Sequence, residues 1–255
     1  MATPSLLRLV YRNVRVNTDP ASLVILIGLP AMYLVFFGLG FGALAGGANG
    51  GASYREFLTP GIMAYQAVMA GTVAGSMLWA DRRWGMLAQL LVGPFTRLEY
   101  LLSNIVTAAV FGLGGAGVML GVAVALFGLG ALTLPGALVM FAVIAVGSVM
   151  FGALMLFIAA LVKSNNAYNS IQILLIFLVS FASTVFYPNS PLLPAVLRAI
   201  FVVNPLTYIA DAARGGYYGN LSGTDLIELA ILAVETVVFL VLATRAYLRS
   251  DVSME

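Results

Sequence analysis

From residue 22 to residue 247 the chain is a succession of apolar stretches, and their length decides what it can fold into. Roughly 20 mostly apolar residues in a helix cross a hydrocarbon core of about 30 Å. Windows of that kind run over 22–42, 60–80, 104–130, 136–162, 169–186 and 225–247. With 62% hydrophobic and 9% charged residues and a mean hydropathy of +1.03, a water-soluble domain would lack the polar groups to cover its surface. The expected fold is therefore an all-α polytopic membrane protein with six spans. Residues 1–20 are expected to form a cytoplasmic interfacial helix and 21–255 the membrane domain, with a polar cytoplasmic loop at 81–99 and a re-entrant external segment at 187–220.

The basic residues orient these spans, because Lys and Arg in short loops stay on the cytoplasmic side. With an even number of spans both termini share a side. Arg8, Arg12, Arg15, Arg82, Arg83, Arg97, Lys163, Arg245 and Arg249 then lie inside, and only Arg55, Arg198 and Arg214 lie outside. Both termini are expected in the cytoplasm. A signal peptide cleaved near Ala43-Leu44-Ala45 is the competing reading, but the apolar run before it is too long. The preference for Arg over Lys and for Ala, Gly and Val points to a GC-rich bacterial genome, hence a bacterial cytoplasmic (inner) membrane.

Cysteine and histidine are both absent, which removes disulfides, thiolate and imidazole metal ligands and the usual general base. There is no Gly-x-Ser-x-Gly turn, and no Asp lies near the middle of a span. The only lysine, Lys163, follows Leu161 and Val162 rather than a glycine-rich phosphate loop. The expectation is a chain that is not an enzyme, with no cofactor, metal or ATP site of its own and no nucleic-acid partner.

Several local patterns point to function. Leu6, Leu7, Val10 and Val14 share a helical face opposite Arg8, Arg12 and Arg15, as in a helix lying flat on anionic membrane lipid. Gly117 with Gly121, and Ser148 with Gly152, have the spacing that lets helix backbones approach in lipid. On the fifth span Asn169, Gln172, Ile176, Ser180 and Ser183 draw a mostly polar stripe. It either lines a substrate path, with Gln66 and Ser76 of the second span beside it, or supplies interhelical hydrogen bonds. Glu235 lies near the midpoint of the sixth span, with Glu228 two turns away. A carboxylate at that depth is expensive, and three readings fit it: a coupling-proton site, a cation contact, or a neutral structural acid.

The chain resembles the ABC-2 type permeases, the membrane subunits of ATP-driven exporters of drugs, polysaccharides and nodulation factors. Three motifs carry the resemblance: Phe57-Leu58-Thr59-Pro60-Gly61-Ile62; the run from Arg82 through Gly85, Leu87, Gln89, Leu90, Leu91, Val92, Pro94, Thr96 and Arg97 to Glu99; and Asn204-Pro205-Leu206-Thr207-Tyr208 with Asp211 and Arg214. The resemblance implies six spans, a second permease that is identical or homologous, and two copies of a cytoplasmic ABC ATPase holding ATP and Mg. It also implies that loop 81–99 is a coupling helix seated on that ATPase. Trp84, Leu87 and Leu91 are then expected to form its apolar face, with Asp81, Arg82, Arg83, Arg97 and Glu99 registering it by charge. The chain departs from the family pattern at Arg83, where Glu is common, at Met86, where Thr is common, and at Thr184, where Gly is frequent. The expected function is export of a hydrophobic drug-like or lipid-like molecule. The alternatives are a polysaccharide exporter of the same family and a proton-coupled transporter using Glu235.

Overall fold

The computed structural model describes residues 5–45, 54–128 and 130–250, and these contain no strand. Helix α1 is Ser5–Val16. A short helix α2, Pro20–Leu23, runs through a π-helical stretch, Val24–Gly28, into α3, Leu29–Ala45. There follow α4 Tyr54–Arg83, α5 Met86–Val92, α6 Arg97–Phe127, α7 Leu134–Leu161, α8 Asn165–Phe181, α9 Ala195–Val203, α10 Pro205–Tyr218 and α11 Gly223–Arg249.

Local chemistry sets many of these limits. Asp19 accepts hydrogen bonds from the backbone N–H groups of Ala21 and Ser22, each at 3.1 Å, and Pro20 follows at the first helical position. The wider π turn precedes Pro30, whose ring and missing N–H disturb a regular helix. Thr96 with Glu99 and Ser222 with Asp225 close reciprocal capping boxes at the starts of α6 and α11.

Helix α4 is the axis of the bundle, packed by α3, α6, α7 and α10. It has the lowest hydropathy of the long helices, 1.2 against 2.2 to 2.5, yet 94% of its best 18-residue window is buried, against 17% for α11. That inversion is expected in lipid, where the most apolar surfaces face outward and helices associate through close packing and polar contacts. Small residues permit the contact: a side chain at Gly112 would strike Ser148, and one at Gly115 would strike Gln66. The predicted seam is thus half realised. Ser148 and Gly152 face neighbouring helices, whereas a Cβ at Gly117 or Gly121 would meet no described atom within 4 Å, and both glycines lie on an outer face of α6.

Among the described residues, five helical segments are long and apolar enough to span: 20–41, α4, α6, α7 and α11. Helix α8 has 17 residues, about 26 Å at 1.5 Å per residue, and the contacts show that it too runs the length of the bundle. Arg82 at the end of α4 donates to the carbonyl of Ala159 near the end of α7 (3.0 Å), and Arg97 at the start of α6 donates to the carbonyl of Leu248 near the end of α11 (3.1 Å). These groups share one end of the bundle with α1 and α5. The first turn of α8 lies at that end, beside Arg83 and Trp84. The residues that follow α8, Thr184 and Val185, meet Arg214 together with Phe57 near the start of α4, at the opposite end. Among the described residues the chain therefore runs the length of the bundle six times. The fifth crossing differs from its predicted limits: the helix begins four residues before Asn169 and ends five before Phe186, and the buried segment 183–186 continues without helical structure. Helices α9 and α10, in the segment expected to be re-entrant, are bent 80° to each other.

Helix α1 is amphipathic and is held to the bundle more closely than a helix lying free on lipid: Leu9 and Asn13 are buried, Val14 packs against the core, Leu6 and Val10 are half-buried, and Leu7 is 53% exposed. Polar groups dock it: Asn13 Nδ2 donates to Asn104 Oδ1 (2.8 Å) and Ser103 Oγ (3.3 Å), and Ser5 Oγ donates to Glu99. Arg12 is turned to Asp81 and not toward lipid. Residues 1–4 of the predicted helix lie outside the described residues.

Candidate functional site

The predicted coupling loop is a two-faced element rooted in the bundle. Arg12 grips Asp81 through both guanidinium nitrogens, one at 2.8 Å, and Tyr100 Oη donates to the same carboxylate at 2.8 Å. That hydrogen-bonded carboxylate holds the Arg12 pKa above its ordinary value. Arg82 is also buried, and it reaches Ala159 and Ser250. Asp81 and Arg82 thus do not present charge to a partner, contrary to expectation. They face inward because the last turn of α4 is still enclosed by α1, α6 and α7.

Gly85 then turns the chain with φ +66°, a left-handed conformation that glycine adopts without a Cβ clash. In α5, Leu87 is 1% exposed and packs with Leu78, Tyr100 and Leu101, and Leu90 and Leu91 lean on the same cluster. The expected outward face of Trp84, Leu87 and Leu91 is therefore divided. Trp84 (75% exposed), Met86 and Val92 (90% exposed) point outward, and the leucines seat the element. Arg83 is exposed and lies over the Trp84 ring at 5.5 Å, and Pro94 is exposed as well. Arg97 binds the carbonyls that end α11, and Glu99 caps α6.

The polar stripe of α8 meets α4 at Gln172. Ser76 Oγ donates to Gln172 Oε1 at 3.2 Å, and Ser180 and Ser183 are buried near the far end, where Ser183 Oγ donates to the Ser180 carbonyl. Asn169 is exposed at the α5 end and lines a cavity of about 150 Å³ with Asn165, Tyr168, Ser76, Trp79, Ala80, Arg83 and Trp84. Gln66 stands apart, with its amide buried against Gly115 of α6 and lacking a hydrogen-bond partner. Trp79, Tyr168 and Asn165 carry no signal in the sequence, because they look like ordinary interface residues until α8 is laid against α4. In α11, Glu228 and Glu235 are half-buried, and each has one carboxylate oxygen buried without a partner.

At the opposite end the first and third motifs clasp each other. Arg214 Nε donates to the Phe57 carbonyl (3.2 Å), and its guanidinium lies 3.8 Å over the Phe57 ring. Nη1 binds Asp211 (2.6 Å) and Thr184 Oγ1 (3.2 Å), and Nη2 binds the Thr184 carbonyl (2.6 Å). Gly61 makes room, since a Cβ there would stand 2.8 Å from Nη2 and 2.6 Å from the Val185 carbonyl. Thr184, a departure from the family pattern, also donates to Asp211 at 2.8 Å, a bond glycine cannot make. Asn204 does two tasks: Nδ2 caps the carbonyls of Val179 and Ala182 at the end of α8, while Oδ1 accepts from the Leu206 N–H to start α10.

Comparison with known proteins agrees with this arrangement. Residues 6–218 match the sequence model of the family described as ABC-2 type transporter. Nodulation protein J of Rhizobium leguminosarum bv. viciae is similar to this chain, with 26% identity over 221 residues that cover 84% of this chain and 82% of that protein.

Proposed function

The chain belongs to the ABC-2 type transporter family and is a membrane-spanning transport subunit, and on that premise we propose that it is the permease of an ATP-driven efflux system in a bacterial inner membrane. Two ABC ATPase copies, carrying ATP and Mg, seat beneath two permeases, with the α5 end cytoplasmic. Their closure pushes α5 and tilts α4 so that a path between the permeases opens outward. The cargo is a hydrophobic drug-like or lipid-like molecule, and the stripe of α8 lines its route.

The observation that carries the reading is the construction of α5. An exposed apolar rim of Trp84, Met86 and Val92 projects from an element anchored by Leu87 and joined to the central helix by one tight turn. A force on that rim passes directly into α4. Arg83 and Met86, the two family departures in this loop, are both exposed, so they bear on which ATPase is accepted. The test is co-purification and vesicle transport with a candidate ABC ATPase from the same organism. Trp84→Ala with Val92→Ala is expected to leave the fold intact and to lose ATPase binding or coupled transport. Full ATP-driven transport by that variant overturns the coupling assignment.

The unpartnered carboxylate oxygens of Glu228 and Glu235 favour one second reading, a proton-coupled transporter. It requires transport without any ATPase and its abolition by Glu235→Gln. The exporter reading requires strict dependence on ATP.

A further inference from the structure

The cavity between α4 and α8 at the α5 end has donor chemistry of which the coupling reading uses only Arg83. Trp79 is 4% exposed, and its Nε1–H is buried without an acceptor; Tyr168 is 1% exposed, and its hydroxyl is turned into α4 beside Gly75 and Ser76. The two rings stack with centroids 5.9 Å apart. Asn165 and Asn169 bring the first turn of α8 to the cavity wall, and the N-cap residue Ser164 makes no side-chain capping bond. The positive end of the helix and its uncapped N–H groups therefore lie beside the cavity. Arg83 supplies a full positive charge at the rim and forms no salt bridge among the described residues. Among the described residues, no carboxylate lines the space.

These features converge on an anion: an aromatic N–H that needs an acceptor, a helix N-terminus, a guanidinium, and no competing acid. Size narrows the ligand. Sites that enclose drug-sized molecules measure roughly 300–1,000 Å³, whereas this cavity is about 150 Å³. It holds a head and not a whole amphiphile. Arg83 and Trp84 are exposed at its edge, in the zone where tryptophan and arginine meet headgroups.

We propose that this cavity is a seat for a phosphate-type anionic group, the head of an inner-leaflet amphiphile whose tails remain in the membrane. As a statement about cargo it deepens the exporter reading and rests on it. The binding itself needs neither ATPase nor nucleotide, so its failure is distinguishable from a failure of transport.

The chain has two tryptophans, and both line this cavity. Trp84→Phe therefore leaves Trp79 as a single fluorescent reporter in the full chain. In vesicles containing brominated phosphatidylglycerol, Trp79 is expected to be quenched several-fold more than with brominated phosphatidylcholine at equal mole fraction. Arg83→Gln should abolish that preference and Arg83→Lys should restore part of it, while Arg15→Gln, at an exposed arginine of α1, should leave it in place. A second arm adds inorganic phosphate to the lipid-free protein in detergent. An Arg83-dependent change in Trp79 emission there sustains the seat and assigns it to free phosphate as well as lipid. Equal quenching by the two lipids with no response to phosphate overturns the proposal, as does a preference unchanged by Arg83→Gln.

Discussion

Arg214 is 8% exposed and satisfies its guanidinium with one carboxylate, one hydroxyl, three backbone carbonyls and an aromatic face. Such a charge is tolerated because every donor is answered, and removal of the cation strands its partner. Arg214→Leu is expected to destabilise the solubilised protein. Asp211 keeps 30% of its side chain exposed, so the loss should fall near the lower end of the roughly 3–5 kcal/mol seen for broken buried pairs. Arg214→Lys should recover only part of it, since an ammonium lacks the planar fork. Both are read by thermal unfolding in detergent. Gly61→Ala should cost about 1–3 kcal/mol by crowding the same guanidinium and the Val185 carbonyl. Phe57, Gly61, Asn204 and Arg214 are all legible in the sequence as members of motifs. Their mutual contact is not, because residues 157 apart can be paired only once the helices are placed.

Among the elements, spans are easier to read than faces. Hydropathy marks a crossing wherever a long apolar run occurs, and α2 to α4, α6, α7 and α11 follow it. The face a helix buries in lipid is less visible, because polar contacts as well as apolar ones hold it. Helix α1 illustrates this: its apolar stripe suggests a surface float, but Asn13, fully buried, docks it through Asn104 and Ser103. Asn13→Ala should strand those groups at a cost of about 1–3 kcal/mol. Hydrogen exchange in residues 5–16 should then rise while α4 and α7 stay protected; unchanged exchange in α1 would show that Arg12 and Leu9 suffice. Helix α5 illustrates the same point. Leu87, expected to face a partner, lies in the core, so Leu87→Asp should unfold this end of the bundle rather than merely uncouple it. Loss of cooperative melting, compared with the unaltered melting of Trp84→Ala, separates the two.

For the molecule as a whole, the path of the chain turns on α8, read in the sequence as the fifth apolar window and, at 17 residues, the shortest of the crossing segments. If α8 did not cross, the chain would leave α7 at the α5 end and begin α11 at the opposite end with nothing between them to make the passage. The contacts of Tyr168 with Trp79 at one end and of Val179 and Ala182 with Asn204 at the other supply it. The sequence contains no cysteine, so single cysteines placed at exposed positions report sidedness without a background. Lys163→Cys and Asn189→Cys flank α8 and are both exposed. A membrane-impermeant maleimide added to intact cells is expected to label Asn189→Cys and to spare Lys163→Cys until the cells are opened. Arg83→Cys should behave like Lys163→Cys, and Asn220→Cys, beyond the bent pair α9 and α10, like Asn189→Cys. If 163 and 189 label from the same side, α8 does not cross, and the assignment of α5 and α11 to one end of a six-span bundle fails with it.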